Sequence, residues 1–306
     1  MISAASPNVV EAPEWRARRY CSVFAVAGIR VGVVGQTPGS VDLGPQLHPF
    51  LAKLGDDDIE LSVEWKPTLD PCGARPLFDS GCVWSVCDVR GQFVFDFTTS
   101  RFGDRPYKRL VTDRDFRRAV VYLNGQYLTP EYCALEYPLD ELLFTHYLSL
   151  GRGVELHGCG VVDADGGSYL FVGHSGAGKS TTARLWTRHL PVQVLSDDRI
   201  IVRKQDGRFF MHGTPWHGEA AFALPGSAPL RRIFLLEHGA ENRIQRISKN
   251  LAVGELLARS FTPFYASRLV EPVLTLLETM VESVPCYRFQ FVPDPSAVEK
   301  ILGFRD

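Results

Sequence analysis

The twelve residues from Phe171 to Thr182, Phe-Val-Gly-His-Ser-Gly-Ala-Gly-Lys-Ser-Thr-Thr, restrict what this chain can fold into more than any other stretch. They fit the pattern G-x-x-x-x-G-K-[ST] at Gly173, Gly178, Lys179 and Ser180. Glycines at this spacing let the backbone turn tightly and aim successive N–H groups at phosphate oxygens, where no side chain would fit between. The phosphate-cradling candidates are therefore Gly173, His174, Ser175, Gly176, Ala177, Gly178, Lys179, Ser180 and Thr181. Lys179 would neutralise the β/γ oxygens, and the Ser180 hydroxyl is the expected Mg²⁺ ligand. The competing reading, a glycine-rich turn that binds nothing, is disfavoured by the flanks. Ser168 to Val172 reads as a strand and Thr181 to Leu190 as a helix whose positive end would face the nucleotide.

At 306 residues, 45% hydrophobic and 22% charged, the chain can bury a sizeable core and suits two domains better than one. Its 33 basic and 35 acidic residues leave a formal net charge of -2, so no general pull toward nucleic acid or an anionic membrane is implied. The seven cysteines are scattered with no C-x-x-C pair, which predicts reduced cytoplasmic thiols rather than a disulfide frame or a zinc site. Met1 to Arg19 has no apolar h-region and no later run approaches a membrane span, so neither export nor insertion is expected.

The first half is rich in strand signals and poor in chemistry. Tyr20 to Val34 and Ile59 to Trp65 read as strands, and Asp88 to Gly91 reads as a hairpin turn between Cys82 to Cys87 and Gln92 to Phe97. Asn124-Gly125 marks another turn. An antiparallel, β-rich domain is predicted. Asp56-Asp57-Asp58 reads as a solvated loop, and Arg114, Arg117 and Arg118 with Asp113 and Asp115 as a solvated helix face. Pro138 to Leu150 has helical spacing with Gly151 as a stop, and the domain boundary is placed just before it, at 1–137 and 138–306. His146 within that helix reads as packed or surface-facing rather than as a ligand.

The second half holds the candidate chemistry. Gly153 to Val162 reads as a strand, and a hairpin through Asp165-Gly166 would lay His157 near the phosphate loop. Pro191 to Ser196 reads as a buried strand that ends in Asp197-Asp198, where a carboxylate beside such a loop holds Mg²⁺ and a second can accept a proton from an attacking hydroxyl. Asp197 is assigned to the metal with Ser180, and Asp198 to the base, with the reverse assignment left open. Farther on, Met211 to Glu219 clusters His212, His217 and Glu219 around Thr214-Pro-Trp216, and a structural turn with Trp216 as a core plug competes evenly with function there. His212 and Glu219 are the weaker candidates. Strands at Arg232 to Leu236 and Tyr287 to Val292 and helices at Leu251 to Arg259, Leu269 to Val281 and Pro295 to Phe304 complete the domain.

Leu156-His157-Gly158, Gly173 to Ser180 and Leu195-Ser-Asp-Asp-Arg199 resemble, in order and spacing, the HPr kinase/phosphorylase group. That resemblance implies a mixed α/β chain: a β-rich amino-terminal domain followed by a P-loop kinase domain similar to the phosphoenolpyruvate carboxykinase core. It implies a phosphoryl-transfer site built from His157, Lys179, Asp197 and Asp198, using ATP and Mg²⁺. The segment after the Asp-Asp strand departs from HPr kinases proper and looks like the Gly-Thr-Pro-Trp version of stand-alone relatives, some of which phosphorylate a serine of a precursor peptide. The expected partner is thus a protein or peptide with an acceptor serine, with the first domain as the candidate acceptor-binding part. HPr kinases assemble as hexamers, so a homo-oligomer is an implication of the resemblance alone. The alternatives are a nucleotide-responsive binding module, which would not need His157 and a second carboxylate, and a small-molecule kinase, which would call for an arginine-rich lid.

Overall fold

The computed structural model describes residues 10–11 and 20–305. The segment read as lacking an export signal, Met1 to Arg19, lies outside the described residues except for Val10 and Glu11. The chain is mixed α/β, with two mixed sheets and six α-helices among the described residues, and it divides into two compact units between Tyr147 and Leu148.

Among its described residues the first unit holds a sheet of nine strands: β1 (Val10–Glu11), β2 (Tyr20–Val26), β3 (Ile29–Gly35), β4 (Ile59–Lys66), β5 (Phe78–Asp79), β6 (Trp84–Val89), β7 (Gln92–Thr99), β8 (Gly103–Thr112) and β9 (Arg118–Asn124). Its order is β1-β2-β3-β4-β9-β8-β7-β6-β5. Two differences from expectation follow from turn chemistry and connection length. Tyr20 to Val34 is a hairpin rather than one strand, because Ala27 and Gly28, at φ +54° and +73°, form a two-residue turn of the type that matches strand twist. The sheet is also not antiparallel throughout. Beyond β3 the chain runs through the short helix α1 (Gly44–Leu47) before β4, long enough to cross over, and β3, β4 and β9 lie parallel.

Two loops in this unit are also more structured than predicted. Asp58 accepts the Arg30 backbone N–H at 3.0 Å and Asp57 lies 4.0 Å from the Arg30 guanidinium, so two of the three carboxylates fold in on Arg30, while Asp56 stays exposed as a solvated loop would have it. Asp113 accepts the N–H groups of Arg117 and Arg118, which makes Asp113 to Arg117 the β8–β9 turn and not a helix. Helix α2 (Leu139–Leu148) packs Phe144 on Phe24 and the buried His146 among Phe93, Phe95 and Phe116. These contacts put the division of the chain at the end of this helix rather than before it.

The second unit contains β10 (Val154–Asp163), β11 (Ser168–Val172), helix α3 (Lys179–His189), β12 (Val192–Ser196), β13 (Arg199–Gln205), β14 (Arg208–His212), β15 (Ser227–Pro229), β16 (Ile233–His238) and β17 (Arg243–Arg246), then helices α4 (Lys249–Leu257) and α5 (Ser267–Ser283), strand β18 (Cys286–Phe291) and helix α6 (Pro295–Leu302). The order β15-β14-β13-β10-β11-β16-β18-β17 combines antiparallel hairpins with the parallel pairs β11–β16 and β16–β18, and β12 pairs with β10. Successive side chains of a strand face opposite ways. Leu170 and Val172 accordingly join the core under α4 and α5, while Phe171 joins Trp186, Phe234 and Phe289 under α3 and α6. With both faces covered, β11 ends in the glycine-rich loop at a fixed height. No helix among the described residues is long and apolar enough to cross a membrane.

Candidate active site

Pairing of β10 with β11 decides where His157 lies. Gly158 stands opposite Val172, and the Gly173 N–H continues the ladder by donating to the His157 carbonyl at 3.1 Å. The histidine is thereby set at the root of the glycine-rich loop. Within the loop, Gly176 and Gly178 adopt φ +80° and +101°, and a Cβ on Gly178 would stand 2.4 Å from the Phe291 ring. Only glycine suits that position. His238 supports the loop by a 2.8 Å contact between Nε2 and the Gly176 carbonyl.

Lys179 opens α3 and turns its side chain back, donating at 3.0 Å to the carbonyls of Gly173 and His174. Burial pulls its ammonium down to about 8, with Asp198 opposing and Arg199 adding to the effect.

The two adjacent carboxylates have opposite surroundings. Asp197 is fully buried: Oδ1 accepts the N–H groups of Gly218 at 3.0 Å and Phe222 at 3.2 Å, while Oδ2 accepts the Ala220 N–H at 2.9 Å and the Ser180 hydroxyl at 2.8 Å. All four of its lone-pair sites are filled. Asp198 instead reaches the cleft, where its Oδ1 meets His157 Nε2 at 2.8 Å and its Oδ2 pairs with Arg199. Burial alone would raise its carboxyl, but the His157 hydrogen bond, Arg199 and Lys179 outweigh burial and hold it below the usual carboxylate range. Arg199 is fixed in turn by the Phe261 ring, 4.0 Å away, and by Glu155 at 3.7 Å.

The segment after β14 is stapled to this turn. Thr214 donates to the Arg199 carbonyl at 2.8 Å, and Ser196 donates to the Trp216 carbonyl at 3.0 Å while accepting the N–H groups of Asp198 and Arg199. Trp216 is buried, which supports the core-plug reading of that residue. A Cβ on Gly218 would lie 2.8 Å from Asp197 Oδ2, so glycine is what allows the backbone to close over the carboxylate.

A cleft of about 230 Å³ gathers His157, Ser175, Gly176, Gly178, Lys179, Ser180, Thr181, Asp198 and Glu219, together with Gly218 and Arg184. Two larger hollows, of about 550 and 470 Å³, lie in the first unit and gather no comparable set. Of the remaining candidates, Asp197 sits beneath Ser180 and does not line the cleft, His174 is exposed at the loop, and His212 is buried at the end of β14, away from the cleft wall. Arg184, which donates to the Glu219 carbonyl at 3.1 Å, and the Arg199–Phe261–Glu155 shelf were not singled out from the sequence. Arg199 adjoins the Asp-Asp pair and carries a faint signal; Phe261 carries none. Among the described residues no group of three or more His, Cys, Asp or Glu side chains is placed to hold a metal ion. Compared with known proteins, the chain matches no family model and no curated protein.

Proposed function

We propose that the chain is an ATP-dependent kinase that transfers the γ-phosphoryl group to a serine hydroxyl of a protein or peptide, as in the HPr kinases it resembles. The observation that carries this reading is the division of labour between the carboxylates: Asp197 is spent on Ser180 and backbone N–H groups, whereas Asp198 faces the cleft with Lys179 and is oriented by His157. A site that only bound nucleotide would not need the second carboxylate.

The serine oxygen attacks the γ-phosphorus, the bond from that phosphorus to the β–γ bridging oxygen breaks, and ADP leaves with the electron pair. Asp198 takes the hydroxyl proton, and His157 keeps its carboxylate aimed. Lys179 exchanges its two carbonyl partners for phosphate oxygens, where its charge offsets the charge that develops during transfer.

The residues fit Mg²⁺ held through one protein hydroxyl. Ser180 gives its hydrogen to Asp197 and keeps oxygen lone pairs for a cation, while the filled Asp197 acts by orienting that hydroxyl. Mg²⁺, which takes few protein ligands, would be held there through Ser180 and would supply charge neutralisation at the phosphates.

One observation favours the second reading, a nucleotide-responsive module: Asp197 ties Ser180 to the 218–222 loop, so a change at Ser180 would be felt there. A radiolabelled γ-phosphate transfer assay on candidate peptides encoded beside this protein separates the two. Label on serine with the wild type and none with Lys179→Ala supports the kinase. Release of free phosphate alone, or tight ATP binding without turnover, supports the module.

A further inference from the structure

None of the seven cysteines is paired in a disulfide, yet two of them belong to one constellation in the first unit. Asp96 of β7 stands opposite Ser85 of β6 on one side and Arg109 of β8 on the other, and Cys87 lies two residues beyond Ser85, so Cys87, Asp96 and Arg109 share a face of the sheet. The irregular segment before β5 is tied down over that face. The Cys72 N–H donates to Asp96 Oδ2 at 2.9 Å, the Cys87 thiol donates to the Ala74 carbonyl at 3.4 Å, and Arg109 reaches the Asp70 carbonyl at 2.6 Å while it pairs with Asp96. These bonds hold Cys72 over the face that carries Cys87, and the two thiols are near enough to interact. Burial first, and then the adjacent Cys72 thiol, push the Cys87 thiol up to about 12. Cys87 is buried, whereas Cys72 is part-exposed.

We propose that Cys72 and Cys87 form an oxidation site that takes a low-molecular-weight disulfide such as oxidised glutathione and closes into an intramolecular disulfide. The Cys72 thiolate attacks one sulfur of the oxidant, forming a mixed disulfide and releasing one thiol. Cys87 then gives up its proton, attacks the Cys72 sulfur and displaces the second thiol. Two protein S–H groups are oxidised and one small disulfide is reduced to two thiols. The order of events follows from access, since the part-exposed sulfur meets the oxidant and the buried one resolves it. The carboxylate beside them, Asp96, is taken up by Arg109 and the Cys72 N–H, and no group of three or more His, Cys, Asp or Glu side chains among the described residues is placed to hold a metal ion.

The experiment treats the full folded chain with oxidised glutathione, alkylates the remaining thiols, and maps the digested peptides by mass spectrometry. A Cys72–Cys87 linked peptide that forms before any other disulfide and disappears with dithiothreitol is the expected result. Cys87→Ser should accumulate glutathione on Cys72, because the resolving thiol is gone, and Cys72→Ser should leave Cys87 unmodified. Cys72 sits in an irregular, part-exposed segment, so Cys72→Ser is compatible with folding. The proposal is overturned if both thiols stay free at oxidant levels that modify Cys82, if either pairs first with another cysteine, or if Cys87→Ser fails to hold the mixed disulfide.

Discussion

Each unit of this chain buries a lysine, and the two are treated in opposite ways. Lys108, on β8 of the first unit, has no exposed surface; its ammonium donates to the Ala134 carbonyl and Glu136 and lies 5.1–5.7 Å from the rings of Phe97, Tyr132 and Tyr107. Lys179 in the second unit is nearly as buried, but its partners are two backbone carbonyls and it lines a cleft. Burial lowers both ammonium groups, against Glu136 in one case and Asp198 in the other. A charge enclosed by a carboxylate and aromatic faces is part of a core. A charge held only by carbonyls at the edge of a cavity can change partners without unfolding anything, which suits it to a ligand.

The largest effect that sharpens this contrast is expected at Lys179. Lys179→Ala should lower phosphoryl transfer on the order of 1000-fold, about 4 kcal/mol, with the thermal transition of the chain nearly unmoved. Transfer kinetics and a melting curve on the same preparation test both halves, and an inactive but also strongly destabilised variant would erase the distinction. Lys108→Ala should do the reverse. It should cost about 3 kcal/mol of stability in chemical denaturation, by emptying a volume lined with rings, and leave transfer by the folded fraction intact. Lys108→Met, which fills that volume without a charge, should stay within about 1 kcal/mol of the wild type.

The carboxylates allow a finer version of the same test. Asp198→Asn should retain nucleotide affinity and lose on the order of 100-fold in turnover, about 2.7 kcal/mol, because an amide keeps the shape but cannot accept the proton. Equilibrium binding of ATP measured beside single-turnover transfer separates the two quantities. Normal turnover per bound complex with weakened binding would show that Asp198 serves affinity, not proton transfer.

Much of the second unit was legible because its signals are local. The apolar run Ser168 to Val172, the glycine spacing after it and the helix that follows appear where the sequence places them, and the β10–β11 hairpin brings His157 to the loop as its turn signal implied. Asp206-Gly207, both at positive φ, makes the β13–β14 turn and was an available signal of the same kind. The turn at Ala27 was hidden, since alanine seldom adopts positive φ. The enclosure of Asp197 was hidden for another reason: its partners at Gly218, Ala220 and Phe222 are backbone N–H groups, which leave no mark in side-chain chemistry. Lys108 was hidden in plain alternation. It shares the inward register of β8 with Leu110 and Thr112, where a charged residue reads as an interruption until Glu136 and the surrounding rings arrive from distant sequence.

His212 supplies the smallest effect and a third kind of buried basic group, one with neither a carboxylate nor a cleft. Its Nε2 is buried without a hydrogen-bond partner among the described residues, and burial, with Arg203 adding to it, pulls the imidazole down to about 4. With a folded value below the ordinary one near 6.5, the unfolded chain binds the proton first, so stability is fully present above about pH 6.5 and declines as the pH falls toward 4. Between pH 7 and pH 5 the loss attributable to this residue comes to about 2 kcal/mol. Denaturant midpoints of the wild type and His212→Gln across that range isolate it, since glutamine does not titrate and its curve should be flatter by this amount. Parallel curves would mean that the imidazole accepts a proton in place, and that burial without a partner is not what keeps a basic group neutral here.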